Sequence, residues 1–369
     1  MSLTRFSMFL PLLLLAACEV ETPPVALPTN FNTSWAFNPV AEGAVTVTTS
    51  ATGANYFSVR FGTGDDAVYV EDPTGPFEHV FTATGRYPLR MRAHVSFEHF
   101  VERWDTVDLN LDANPFLIPT SGYSSPLSYP GYNLVWQDEF NGNSLGEEWT
   151  HEVGNGNWGW GNNELQYYKA SNTVFDKGCL VINAKEETTG SFNYTSSRLK
   201  TQGKKSFKYG RIDIRAALPF GQGIWPALWM LGENITSVGW PSCGEIDIME
   251  MIGGATPNQG DERVHGTGHW SSNGNHAYTG GSIVVPNGSS YQNEFHVYSI
   301  IWDASAIKWY RDDVLYYTLD ITGSDKTEFH EPMFFLMNVA VGGQWPGNPN
   351  ASTVFPQRMA VDYIRVFQP

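Results

Sequence analysis

Positive charge, cysteine and long apolar runs are all scarce in this chain. Its 369 residues carry 22 Lys and Arg against 38 Asp and Glu, a formal net charge of −16. That balance opposes binding to nucleic acid or to an anionic membrane face, because such partners are held by clustered cations. Of the three cysteines, Cys18 lies at the end of the N-terminal apolar run, which leaves Cys179 and Cys243. Two cysteines make no disulfide scaffold, and without CxxC spacing or paired histidines they make no zinc site. We read both as free, buried, small apolar residues, although an exported protein would be permitted one bridge. Past residue 17 no segment is long and apolar enough to span a bilayer as a helix. Helical periodicity is never sustained for three turns, which excludes an α or α/β architecture.

Aromatics and glycine are plentiful, with 13 Trp, 17 Tyr, 22 Phe and 36 Gly. The combination describes an all-β protein with aromatic faces to spare, of which roughly two thirds belong to sheet cores. Flat apolar faces suit sugar rings, whose C–H groups stack on indoles while their hydroxyls take hydrogen bonds. A neutral ligand therefore fits better than a polyanion.

Arg5, the apolar run from Met8 to Ala17 and the sequence Leu15-Ala16-Ala17-Cys18 have the form of a signal peptide ending in a bacterial lipobox. Residues 1–18 are expected to be removed up to a lipidated Cys18, which would be the chain's only attachment to a membrane. Glu19 and Glu21 resemble the export signal of surface lipoproteins, so the expected location is the outer membrane, facing outward. Residues 19–27, with Thr22-Pro23-Pro24, read as a tether. Short alternating runs from 28 to 112 predict a small antiparallel β-sandwich, with strands at 44–50, 56–61, 77–83, 86–95 and 106–111. Phe61-Gly62-Thr63-Gly64-Asp65 and Thr84-Gly85-Arg86-Tyr87-Pro88-Leu89 resemble immunoglobulin-like domains of the polycystic-kidney-disease (PKD) type, although Thr63 stands where that family has Asp. A spacer is the expected role, ahead of carbohydrate binding. Residues 113–130, with four prolines and several serines, read as a linker. The rest, 131–369, reads as one large sandwich of two curved sheets around a cleft.

Its centre is Gly244-Glu245-Ile246-Asp247-Ile248-Met249-Glu250. As a strand this segment puts Glu245 and Asp247 on one face and Ile246 and Ile248 on the other. Glu250, five residues after Glu245, would fall among the isoleucines unless a β-bulge near Ile248-Met249 adds one residue; we expect Met249 to be the extra one. A surface strand of solvated acids is the competing reading, disfavoured by the apolar residues between the acids and by the indoles of Trp225, Trp229 and Trp240 just upstream. Carboxylates sharing one face of one strand suit glycoside hydrolysis, which for retention needs two of them ~5 to 5.5 Å apart, better than a metal site, which needs many oxygens converging on a point.

The motifs around that strand fall in a specific order. They are Trp136-Gln137-Asp138-Glu139-Phe140, Trp160-Gly161-Asn162-Asn163-Glu164-Leu165-Gln166, Gly178-Cys179-Leu180, Tyr209-Gly210-Arg211, Trp225-Pro226-Ala227-Leu228-Trp229, His265-Gly266-Thr267-Gly268-His269-Trp270, Asn338-Val339-Ala340-Val341-Gly342-Gly343 and Val361-Asp362-Tyr363. Together they resemble glycoside hydrolase family 16, and within it the laminarinase-like endo-β-1,3-glucanases, over essentially all of 131–369. The resemblance implies a concanavalin-type β-jelly-roll and cleavage of β-1,3-glucan with retention, by a chain acting as a monomer without a catalytic cofactor. It implies Glu245 as nucleophile, Glu250 as general acid and base, and Asp247 as assisting carboxylate. It further implies a glucan cleft lined by Asn162, Arg198, Trp225, Trp229, Trp240 and His269, and a structural calcium held by Glu139, Gly178 and Asp362. Core packing for the tryptophans, a structural role for His269, a surface position for Arg198 and plain backbone hydrogen bonding by Glu139 and Asp362 are the competing readings. A mixed-linkage glucanase or a galactan hydrolase of the agarase or carrageenase type is an alternative: galactan-active relatives share the Glu-x-Asp-x-x-Glu strand, and lichenase-like members resemble a form one residue shorter. A non-catalytic glucan-binding protein is the remaining alternative, one that would not need all three carboxylates.

Overall fold

The computed structural model describes residues 25–37, 43–64, 67–81, 85–109, 118–254, 260–285 and 291–369. The expected signal peptide with Cys18, residues 19–24 of the expected tether, 82–83 and 110–111 of the expected strands and 113–117 of the expected linker lie outside them. Among the described residues no helix is long and apolar enough to cross a membrane. Two compact units divide the chain, one including Ala44–Val80 and Arg86–Asp108, the other including Leu109–Pro369.

The first unit is a sandwich of two sheets. Thr29–Phe37, Ala44–Thr52 and Phe77–Val80 make one, and Val68–Asp72, Tyr56–Phe61, Gly85–His94 and Phe100–Leu109 make the other. Every second residue of each central strand is inward, so Val45 and Val47, Val59 and Phe61, and Leu89 and Met91 are all buried. Thr29–Phe37 and Val68–Asp72 were not anticipated. Val68–Asp72 has no buried residue, hence no apolar alternation to detect.

In the second unit a ten-stranded sheet packs on an eight-stranded one. The eight-stranded sheet runs in the order Asn275–Val284, Arg263–Ser272, Glu245–Met251, Ile224–Gly232, Met333–Val341, Arg198–Lys200 and Thr150–Glu152, with Ser206–Phe207 beside Met333–Val341. Met333–Val341 is buried at every position, as a central strand covered on both faces must be, and its apolar run shows no alternation. Leu228, Ile246, Ile248 and Phe335 from this sheet share one core with Ile212, Ile300, Trp309 and Ile364 from the other. Cys179 and Cys243 are free and buried in two separate apolar clusters.

From residue 118 the expected linker is docked against the second unit rather than free. Ile118 is buried with Val181 and Phe295, and Gly122 forms a β-bridge to Phe295 so close that a Cβ on Gly122 would stand 2.1 Å from the Phe295 carbonyl oxygen. Tyr129 donates to Asp213 Oδ2 at 2.7 Å and lies 4.0 Å from the Arg211 guanidinium carbon. The prolines keep the segment out of regular strands, but its tyrosines and serines bind side chains whose backbone bonds are already made.

Candidate active site

The Glu245–Met251 strand lies between Ile224–Gly232 and Arg263–Ser272. Its register slips inside the acidic run. Met249 pairs with Leu228 and Asp247 with Trp229, so Ile248 faces no partner and is the extra residue, in place of Met249 as expected. On the other side Asp247 pairs with Thr267 and Glu250 with His265. The bulge turns Ile248 and Met249 both into the core, each fully buried, and returns Glu250 to the face of Glu245 and Asp247. Trp309, from the opposite sheet, donates its indole N–H to the Asp247 carbonyl at 2.8 Å, satisfying backbone beside the irregularity. That indole needs room under the neighbouring strand. A Cβ on Gly266 would lie 2.3 Å from Trp309 Cδ1, which explains the alternation His-Gly-Thr-Gly-His: histidines toward the cleft, glycines over the core.

Each of the two glutamates has an indole partner. Trp225 Nε1 donates to Glu250 Oε1 at 3.0 Å, and Trp240 Nε1 donates to Glu245 Oε2 at 2.8 Å. His269 Nε2 lies 3.0 Å from Asp247 Oδ2 and 3.9 Å from Glu245 Oε1, while its Nδ1 lies 2.8 Å from His276 Nε2. Arg198 is no surface cation. It is sandwiched between Trp160 and Trp229, at 4.3 and 4.8 Å from their ring centroids, and paired with Glu152 at 2.6 Å. Trp229 donates to Asn338 Oδ1 at 2.8 Å, and Asn162 donates to Glu164 Oε1 at 3.1 Å. All six expected cleft residues therefore come together. The cleft has two compartments of about 380 and 630 Å³. Asn162, Trp225, Trp240, Glu245 and Glu250 line both, so the acids sit where the compartments meet.

Burial, then the charge of Asp247, raises Glu245 to about 8 and holds Glu250 well above the ordinary carboxylate range. Burial also raises Asp247, against a hydrogen bond with Glu245 that lowers it. Three desolvated carboxylates side by side cannot all be ionised, so near neutrality the cluster shares protons. His265, beside Trp345 in the wider compartment, is pushed down to about 4 by burial and the Arg263 charge, and stays a neutral imidazole.

The expected calcium set does not fit a divalent cation. Glu139 engages Arg365 through both oxygens, at 2.7 and 2.8 Å, and Asp362 Oδ2 is 2.6 Å from Arg215 Nη1. With both carboxylates neutralised by guanidinium groups, Gly178 would leave a hard cation little more than a backbone carbonyl.

Trp160, Glu164, His265 and Asn338 were part of the quoted motifs without an assigned place in the cleft; His276, Tyr278 and Trp345 also line it. His276 and Tyr278 carry no sequence signal, since their place depends on the Asn275–Val284 strand folding back beside His269.

Comparison with known proteins agrees with this geometry. The chain is 43% identical over 244 residues to the clotting factor G alpha subunit of Tachypleus tridentatus, covering 65% of this chain and 34% of that protein. It is 42% identical over 257 residues to a beta-glucanase of Rhodothermus marinus, covering 65% of this chain and 86% of that one. The crystal structure of the laminarinase catalytic domain from Thermotoga maritima MSB8 superposes with a TM-score of 0.58 at 44% identity, covering 64% of this chain and 98% of that domain. The chain thus spans about a third of the first relative's length and most of the other two. The model of glycosyl hydrolases family 16 matches residues 155–365, more than half of the chain and the whole of the acidic strand with its cleft, and this chain belongs to that family.

Proposed function

We propose that this chain is an endo-acting hydrolase of β-1,3-glucan of the laminarin type that works by double displacement. The observation that carries the reading is the pair Glu245 and Glu250 on one face of a bulged strand, each under an indole N–H, at the junction of two cleft compartments. Glu245 attacks the anomeric carbon as Glu250 gives its proton to the leaving oxygen. Water then breaks the glycosyl ester on Glu245, and its proton passes to Glu250. Electrostatics are compatible with this division: the raised Glu250 is an acid near neutrality, and Glu245, itself raised to about 8, attacks in the form whose shared proton rests on Asp247, with the Trp240 N–H favouring the negative charge. These steps use only carboxylates and water. The beta-glucanase and laminarinase named among the similar proteins support a glucan substrate, as do the indoles that line the cleft.

Retention is the direct test. Proton NMR of laminarin digestion should show the β-anomer first, and an initial α-anomer would refute the double displacement. A reducing-sugar panel of laminarin, lichenan, agarose and carrageenan separates this reading from mixed-linkage and galactan hydrolysis. No turnover on any of the four would leave the glucan-binding alternative.

The lipobox at Cys18 and the acids after it support an outer-membrane lipoprotein facing outward, and the two sheets of the first unit, with seven strands among the described residues, support a PKD-like spacer; the enzyme is proposed to act as a monomer. Calcium is not part of the reading. Chelation should leave the melting temperature within about 1 °C, since only a ligand bound to the native state adds stability by mass action. A fall of several degrees, with one calcium found per chain by metal analysis, would restore the site at Glu139, Gly178 and Asp362.

A further inference from the structure

The outward face of the four-stranded sheet in the first unit is organised in rows across its strands. Tyr69 pairs with Arg60 and Arg60 with Arg90, and the Arg90 guanidinium lies 5.7 Å from the Trp104 ring centroid. The row therefore reads Tyr69, Arg60, Arg90, Trp104. Beside it runs a second, Glu71, Ser58, Arg92, Glu102, closed by the 2.6 Å contact of Arg92 with Glu102. Each terminal aromatic is tied down by an acid of the second row: the Tyr69 hydroxyl donates to Glu71 Oε1, and Trp104 Nε1 donates to Glu102 Oε1 at 2.6 Å. Even so they are open to solvent, Tyr69 being 46% and Trp104 59% exposed. A single exposed ring needs no explanation, but two rings held by acids at the ends of one row, with guanidinium groups between them, make an ordered surface that a ligand can use.

We propose that this face is a second binding site, for a neutral β-glucan chain lying across the strands with sugar rings on Tyr69 and Trp104. Three inter-strand steps of roughly 4.8 Å put the two aromatic strands about 14 Å apart, a span of a few pyranose rings. Between them the Arg60 and Arg90 guanidinium groups offer donors to sugar hydroxyls, and Glu71 and Glu102 offer acceptors. Charge narrows the occupant. Arg60, Arg86, Arg90 and Arg92 face Glu71, Glu102 and Asp108, the last 3.2 Å from Arg86, which leaves a surplus of one positive charge, too little to hold a polyanion. A role in holding polymer near the enzyme goes beyond the spacer expected from sequence, and the choice of β-glucan rests on the proposed reading of the cleft.

Curdlan granules, an insoluble β-1,3-glucan, provide the test, with the full chain throughout. In a Glu245→Gln background, adding Tyr69→Ala and Trp104→Ala should weaken retention on granules about tenfold, the effect of truncating aromatic anchors. In the unsubstituted background the same pair should lower the initial rate on granules severalfold and leave the rate on soluble laminarin unchanged. Equal retention and an equal rate ratio with and without the pair would overturn the proposal. So would retention on carrageenan beads in place of curdlan, which would mark a polyanion site. Absence of laminarin turnover in the unsubstituted chain would count against the cleft reading alone, because granule retention requires no catalysis and decides the sheet face by itself.

Discussion

Glu245→Gln should lower turnover by at least about a thousandfold while making the protein more stable at alkaline pH. The two effects share a cause. Glutamine keeps the shape and can still accept the Trp240 N–H, but it can neither attack the anomeric carbon nor ionise. In the folded protein burial and Asp247 hold Glu245 up at about 8, above its ordinary 4.5. The native state therefore keeps this proton where the unfolded chain releases it. The corresponding stability is full below about pH 4 and is lost as pH rises through about 8, the direction set by linkage. Its full worth would be several kcal/mol, but 16% of the Glu245 side chain is exposed and its proton is shared with Asp247. About 1–2 kcal/mol is a fairer figure, or ~2–6 °C for a unit of this size. Melting curves of parent and variant should coincide near pH 4.5 and separate by pH 9, the variant melting higher. Turnover above one per cent in pure variant, or a gap that shrinks with rising pH, would sink the assignment of Glu245 as a desolvated nucleophile.

The second large effect concerns the bulge. Deleting Ile248 joins Asp247 to Met249 and moves Glu250 to an even offset from Glu245, so all three acids stay on the cleft face of a now regular strand. We expect this variant to fold and to keep measurable activity, at a cost of about 2–4 kcal/mol for the lost buried side chain and imperfect repacking. The shorter form that lichenase-like members resemble has the same parity. Inserting alanine after Met249 should do the opposite. Glu250 then either points away from the cleft or sits about 6.6 Å too far along the strand, and activity should fall at least about a thousandfold in a folded protein. Circular dichroism and melting establish folding for both, and laminarin hydrolysis reads the rest. An active insertion beside a folded, inactive deletion would mean that the three acids are not held as described.

Much of the site was legible because it is local. Alternation along one strand decides which side of a sheet a residue faces, so the shared face of Glu245 and Asp247, the misfit of Glu250 and the pairing of Trp225 with Trp229 all follow from counting. Which residue bulges did not follow, because Ile248 and Met249 are both apolar and both end in the core; only the partner strand, pairing Leu228 with Met249, distinguishes them.

By itself the sequence determined an all-β chain, a bulged acidic strand surrounded by indoles and a net charge that favours a neutral ligand, since periodicity and composition act over a few residues. Tertiary structure decided what joins residues far apart in the chain. Trp309 reaches the Asp247 carbonyl across the sandwich, Arg198 is clamped between Trp160 and Trp229, His276 meets His269 across a hairpin, and the arginines that neutralise Glu139 and Asp362 come from other strands. Residues 118–130 looked like a linker for the same reason. Their prolines are a local signal, whereas the Phe295, Asp213 and Tyr363 groups that hold them are supplied by strands about 80 to 240 positions later, an order of pairing that no local pattern encodes.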